Sequence, residues 1–184
     1  MNGYPWLADV EAEFSERLAS DRLAHAFLPA GPAECGKTDL ARRFAAAALC
    51  DEGRYPACGS CRSCTLDASG AHPDRHIVTF EEHPDKPGEL RKELVVKQIR
   101  ALTTSLCLTN SISRRKAAIL YPVEAMNRST ANALLKTLEE PPGDAVIFLV
   151  SHAPSRLLAT IRSRCQKLNV RLPEASSSID WLLE

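Results

Sequence analysis

One glycine-rich turn narrows the folds open to this chain more than any other feature. In GPAECGKT, Gly31 is followed after four residues by Gly36-Lys37-Thr38. The turn comes straight after a short apolar run, AHAFLPA over residues 24–30. It leads into KTDLARRFAAAALC, a run of helix formers with Leu40, Phe44 and Ala48 on one face. A strand entering the turn and a helix leaving it would aim backbone N–H groups and a helix N-terminus at one place, which suits a phosphate. Lys37 would reach the outer phosphates and Thr38 would hold magnesium. Gly31, Gly36, Lys37 and Thr38 are thus the candidate phosphate site for ATP or ADP. Glu34 sets a carboxylate in the same turn, where it repels phosphate unless it points to solvent. The spacing predicts a P-loop-type fold and leaves nucleotide binding open.

The remaining pattern alternates strands and helices. Trp6, Leu7, Val10, Phe14 and Leu18 recur at steps of three to four and predict an amphipathic helix. RHIVTF (residues 75–80) reads as a second strand, and the polar EEHPDKPGELRKE after it as a surface loop. Val95, Ile99, Leu102 and Leu106 mark a helix, KAAILY (116–121) a third strand, and NRSTANALLKTLEE a helix stopped by Pro141 and Pro142. AVIFLVS (145–151) is a further strand, followed by a short helix, PSRLLATI, and a last strand, QKLNV. Such alternation predicts an α/β fold with a parallel sheet covered on both faces, because each parallel return needs a crossover. After Val170, RLPEASSS reads as a linker that opens a final helix from Ile179 to Leu183. A chain of 184 residues holds one domain with a sizeable core and the start of a second.

Composition excludes several classes. With 45% hydrophobic and 25% charged residues the chain is an ordinary globular sequence. No apolar run approaches the roughly 20 residues of a membrane span. MNGYPWLADVEAEFSERL lacks the features of a secretory signal, so a cytoplasmic location is expected. A formal net charge of zero argues against a domain that grips nucleic acid unaided. Among seven cysteines, Cys50, Cys58, Cys61 and Cys64 are separated by seven, two and two residues. In a reducing compartment that clustering points to a metal before disulfides. Four thiolates enclose zinc tetrahedrally, and Gly59 suits the turn between two ligands. With no position left open, the zinc is structural. Cys35, Cys107 and Cys165 read as buried small hydrophobes or bystanders, and His72 and His76 as capping or surface contacts.

Hydrolysis of a nucleotide needs an acid at the end of an apolar strand to organise magnesium, with another to orient water. The strand in that place ends in Tyr121-Pro122, which supply neither. Glu124 lies past the proline and reads as a solvated loop residue. Ser163-Arg164-Cys165 follows an apolar helix and precedes the last strand, and two readings of Arg164 stand. It is a surface arginine with an ion-pair partner, or it is presented to a neighbour's nucleotide, where its guanidinium meets developing phosphate charge.

Four strings in this order carry a resemblance: HAFL leading into GPAECGKT, the four cysteines followed by HPD (72–74), NALLKTLEEPP (132–142), and FLVS through SRC. From Leu23 to Val170 the sequence resembles the clamp-loader subunits of bacterial DNA polymerase III, an AAA+ family with delta-prime and gamma/tau branches. The resemblance implies a RecA-like AAA+ domain over 1–170 with a zinc knuckle at 50–64. It implies a linker and the first part of a helical lid over 171–184, with a C-terminal collar domain missing, so a fragment that folds but assembles poorly is expected. Gamma/tau motors carry an acidic pair where Tyr121-Pro122 stand, so the chain is similar instead to delta-prime. That branch implies Arg164 as an arginine finger in trans, little ATP hydrolysis and no polymerase activity of its own. The implied partners are the gamma/tau and delta subunits, with the sliding clamp and primed DNA reached through the assembly. Against this stand an active gamma/tau-type ATPase or a stand-alone P-loop NTPase, supported by GKT, and a zinc-ribbon nucleic-acid binder. The last is weakened by zero charge and 5% aromatics.

Overall fold

The structure is a computed structural model that describes residues 4–173 together with Ser178, Ile179, Trp181 and Leu183. In chain order it runs α1 (Ala8–Ala19), β1 (Ala26–Ala30), α2 (Lys37–Leu49), α3 (Arg62–Ala68), β2 (Arg75–Val78), β3 (Glu82–His83) and β4 (Lys86–Leu90). It continues with α4 (Val96–Cys107), β5 (Lys116–Leu120), α5 (Arg128–Glu139), β6 (Ala145–Leu149), α6 (Ala159–Arg162) and β7 (Gln166–Asn169). Five strands form one parallel sheet in the order β2-β5-β6-β1-β7.

Alternation along the strands builds a core on each face. Phe27, Ile119 and Phe148 join Phe14 of α1 and Phe44 of α2 on one side. Leu28, Leu120 and Ile147 join Ile99 and Leu102 of α4 and Leu134 of α5 on the other. Phe14 stacks on Phe44 with ring centroids 3.8 Å apart. The helix boundaries follow the sequence: the Asn127 side chain accepts from the Thr130 N–H at 3.0 Å to start α5, and Pro141-Pro142 follow its end.

Three segments differ from expectation. The polar stretch after β2, expected as a surface loop, lies at the surface but carries the antiparallel pair β3–β4. Every residue of β4 is exposed, so no inside–outside alternation marked it, and its turn side is held by the Gly88 N–H on Glu82 Oε1 at 2.6 Å. PSRLLATI is not one helix: a 3-10 turn at Pro154–Arg156 and the four-residue α6 are separated where the backbone leaves the helical region, at Leu157 (ψ 149°) and Leu158 (ψ 136°). Ile179, Trp181 and Leu183 are helical, as the final helix predicts, whereas linker residues 174–177 and positions 180 and 182 lie outside the described residues. Among the described residues no helix is long and apolar enough to cross a membrane.

The HPD string is a buried brace. Asp74 is fully buried, and its carboxylate accepts the backbone N–H groups of Ser111, Ile112 and Ser113 at 2.8, 2.8 and 2.9 Å. His72 caps its own turn, Nδ1 accepting from the Asp74 N–H at 3.1 Å, while Nε2 lies 3.0 Å from Ser113 Oγ; it is a buried cap, not a surface contact. Ser113 Oγ lies 2.9 Å from Ser63 Oγ, which donates to Asp51 at 2.7 Å, so this network ties the cysteine segment to the sheet. His76 sits in the middle of β2 rather than at a cap, and burial and then the charge of Lys116 hold its pKa below the usual histidine value.

Burial works to raise the Asp74 pKa, but the three backbone hydrogen bonds outweigh it and hold the carboxyl below its ordinary 3.8. A folded-state pKa below the unfolded value gives stability that is present above pH 4 or so and is lost as pH falls through the folded pKa. Asp74→Asn is therefore expected to lose about 3 kcal/mol at pH 7, because its amide meets N–H donors. Urea unfolding at pH 7 and pH 3 checks this: the gap between variant and wild type should narrow in acid.

Candidate functional site

The P-loop sits between β1 and α2. Gly36 is the N-cap of α2 at φ +80°, a left-handed conformation in which a side chain is strained. A Cβ on Gly31 would lie 2.0 Å from the Val170 carbonyl oxygen, so the loop needs glycine there to approach the end of β7. Glu34 is exposed, which removes the repulsion its carboxylate would exert inside the loop. Lys37 is only 2% exposed, and its ammonium donates to the carbonyl of Pro32 in its own loop. Burial lowers its pKa, while Cys35 and then Glu124 act the other way. Glu124 is half-buried rather than solvated: Oε1 accepts the His152 N–H at 2.9 Å, and Oε2 is buried without a hydrogen-bond partner among the described residues.

The chain's own N-terminal segment lies over the loop. The Trp6 indole N–H donates to the Cys35 carbonyl at 3.2 Å, and a Cβ on Gly36 would meet the Tyr4 ring at 2.7 Å. Trp181 packs 5.2 Å from Tyr4 and 5.8 Å from Trp6 by ring centroids, and the Arg43 guanidinium lies 5.8 Å from the Tyr4 ring. A phosphate bound by Lys37 would have to draw it off Pro32, while Tyr4 packs beside Gly36. The sequence marked Trp6 only as part of an apolar face and Tyr4 not at all; both contacts bridge some thirty residues and leave no local signature.

The cysteines converge. Cys50 follows the end of α2, Cys61 is the N-cap of α3, and Cys64 lies in its first turn. All four Sγ atoms lie within 4.8 Å of one another, with Cys50–Cys61 at 4.0 Å and Cys58–Cys64 at 3.8 Å. Zinc–sulfur bonds of about 2.3 Å in a tetrahedron place sulfurs about 3.8 Å apart, so the set fits zinc. N–H groups of Cys58, Cys61 and Cys64 point at the sulfurs of Cys50, Cys58 and Cys61 at 3.4, 3.3 and 3.4 Å. The backbone N–H groups of Ser60 and Cys61 pull the Cys58 thiol down to about 6, whereas burial pushes Cys61 and Cys64 up. Gly59, at φ +77°, makes the turn between Cys58 and Cys61. Of the other cysteines, Cys35 is buried, Cys165 is packed against the core and Cys107 is exposed.

Arg164 is one-third exposed and pairs with Glu139 at 2.7 Å, while its other terminal nitrogen donates to the Thr160 carbonyl at 2.9 Å. The ion-pair reading is therefore realised within the chain, and Glu139 is the partner that sequence could not name.

A family model described as DNA polymerase III, delta subunit, matches residues 7–174. The DNA polymerase III subunit delta' of Pseudomonas aeruginosa is 44% identical over 180 residues, 97% of this chain and 52% of that protein. The subunit delta' of Bacillus subtilis is 38% identical over 169 residues, 91% of this chain and 48% of that protein. The chain thus spans about half the length of these relatives. A DNA polymerase III gamma subunit-related protein of Thermotoga maritima superposes with a TM-score of 0.55 at 19% identity, covering 92% of this chain and 47% of that one. At that identity the likeness speaks for the fold, the parallel-sheet α/β architecture expected of an AAA+ module. The family match takes in α1 and every strand and helix through β7, and the chain therefore belongs to the family described as DNA polymerase III, delta subunit.

Proposed function

We propose that this chain is the AAA+ part of a delta-prime-type clamp-loader subunit, which helps load the sliding clamp at primed DNA and assists a neighbour's ATP site without hydrolysing ATP itself. The observation that carries this reading is a P-loop without its acidic partner: β5 runs into Tyr121-Pro122, and Lys37 is spent on its own loop. In-line attack then lacks the metal ligand and water-orienting base that support it. Residues 1–170 form the AAA+ domain and 171–184 the linker and the first part of the lid. The packing of Trp181 on Tyr4 and Trp6 supports a lid that closes over the loop. Gamma/tau and delta subunits are the proposed partners, in the cytoplasm, and the clamp and DNA are met through them.

Cys50, Cys58, Cys61 and Cys64 hold the zinc, which supplies a crosslink in a segment with little apolar core of its own. Arg164 supplies the chemistry in trans. Its planar guanidinium can pair two oxygens of a neighbour's γ-phosphoryl group as charge spreads over them, where water alone screens poorly.

ATP turnover by the purified chain tests the first half of the reading. No steady hydrolysis is expected; turnover that disappears in Lys37→Ala would return the enzyme reading to first place. The aromatic cover adds a separate expectation. Tyr4→Ala combined with Trp6→Ala should tighten binding of a fluorescent ADP analogue about tenfold, the factor for about 1.4 kcal/mol of contacts no longer displaced. Equal affinities in a titration of the two proteins would show that the cover does not oppose nucleotide.

A further inference from the structure

An arginine offered to a neighbour must present its guanidinium in a defined direction, yet a free arginine side chain samples many rotamers. Here the backbone is settled first. The Ser163 N–H donates to the Ala159 carbonyl at 3.0 Å and the Arg164 N–H to the Ile161 carbonyl at 3.1 Å, which closes α6. Cys165 then packs against the core and Gln166 opens β7. The side chain is held by acceptors from two elements, the Thr160 carbonyl one turn back at 2.9 Å and Glu139 Oε1 of α5 at 2.7 Å.

Glu139 is itself well placed to act as a fixed post. It is the last residue of α5; the Glu140 N–H still donates to the Lys136 carbonyl at 3.0 Å, and Pro141-Pro142 stop the helix there. Its neighbours Thr137 and Leu138 are buried at 3% and 1% exposure, so the last turn of α5 cannot drift in register. The carboxylate side chain nevertheless stays about half exposed, at 48%.

We propose that Glu139 is a positioning residue for Arg164, orienting its guanidinium at the surface for a neighbouring subunit's ATP. This rests on the reading of Arg164 as a finger in trans. The two acceptors use only part of the donor set, since a guanidinium also carries a second hydrogen on each terminal nitrogen and one on Nε. A phosphoryl group can therefore be bound while Glu139 keeps its hold, so the pair assists the finger and does not block it. An exposed ion pair biases a rotamer without trapping it.

The test uses the full-length subunit reassembled with its ATPase partners, the clamp and primed DNA, with turnover measured against ATP concentration. Glu139→Ala should lower the kcat of the neighbouring site about three- to fivefold, the scale of an exposed ion pair, with KM for ATP unchanged. Glu139→Gln, which keeps an oxygen acceptor, should fall between Glu139→Ala and wild type. Arg164→Ala should have the larger effect, and adding Glu139→Ala to it should change nothing further. Melting temperature and zinc content should match wild type in every variant. If Arg164→Ala slows turnover and Glu139→Ala does not, the positioning role is wrong and the finger stands. If Arg164→Ala has no effect, both are wrong. Acceleration by Glu139→Ala, or a further loss when it is added to Arg164→Ala, also overturns the proposal.

Discussion

Protein prepared without added metal is expected to carry one zinc per chain, and replacing Cys58 or Cys61 by serine is expected to release it and unfold residues 50–64. Tyr55 and Ala57 pack against the core and Ser63 is hydrogen-bonded, but Cys58 and Cys61 are only half-buried and the arginines and acids around them are exposed, so those contacts leave the ligand turns themselves unsupported. Structural zinc binding is worth about 10–16 kcal/mol in small zinc modules, so it dominates the local balance. The sheet should survive, because the cores on its two faces contain none of the four ligands. The Ser63–Ser113 contact and the packing of Tyr55 against Phe14 and Phe44 are links through which damage would spread, and a fall in melting temperature is expected with it. Elemental analysis and a thiol-reactivity assay settle the matter. A folded, metal-free protein in which all four thiols react would remove zinc from the account.

On the proposed finger role, Arg164→Ala, placed in the full-length subunit and reassembled with its partners, is expected to slow a neighbouring ATP site by roughly three powers of ten or more. Total turnover should fall only in part if the proposed assembly has further ATP sites that Arg164 does not reach. Clamp loading should slow with it. Arg164→Lys should not restore the rate, because an ammonium lacks the planar fork that meets two phosphoryl oxygens. The folded chain itself should hardly notice the loss, as an exposed ion pair such as Arg164–Glu139 contributes about 1 kcal/mol or less. Stopped-flow clamp loading and DNA-stimulated ATPase read the two effects. Wild-type rates in an intact assembly would make Arg164 an ordinary surface arginine.

These expectations draw unequally on sequence and on three-dimensional contacts. Features with a local signature could be read directly. Strand and helix periods showed in KAAILY and NALLKTLEE, breakers showed in Pro141-Pro142, and metal-ligand spacing showed in Cys58, Cys61 and Cys64. The missing acid at Tyr121-Pro122 was equally plain. Where the side chains carried no alternation, as in the wholly exposed β4, the hairpin could not be read. PSRLLATI is rich in helix formers, yet its backbone leaves the helical region at Leu157 and Leu158, a break that no local pattern marks.

The site contacts belong to a different class. Tyr4 over Gly36, Trp6 on Cys35, Glu124 beside Lys37 and Glu139 on Arg164 each join residues far apart in the chain. A single ring contact or hydrogen bond at such separation imposes no period and no spacing on the sequence. It exists only because the sheet order β2-β5-β6-β1-β7 brings separate loops to common edges. Sequence therefore sufficed for which chemical groups this protein owns, whereas folding settled which of them face one another, since pairing depends on distances that no local pattern encodes.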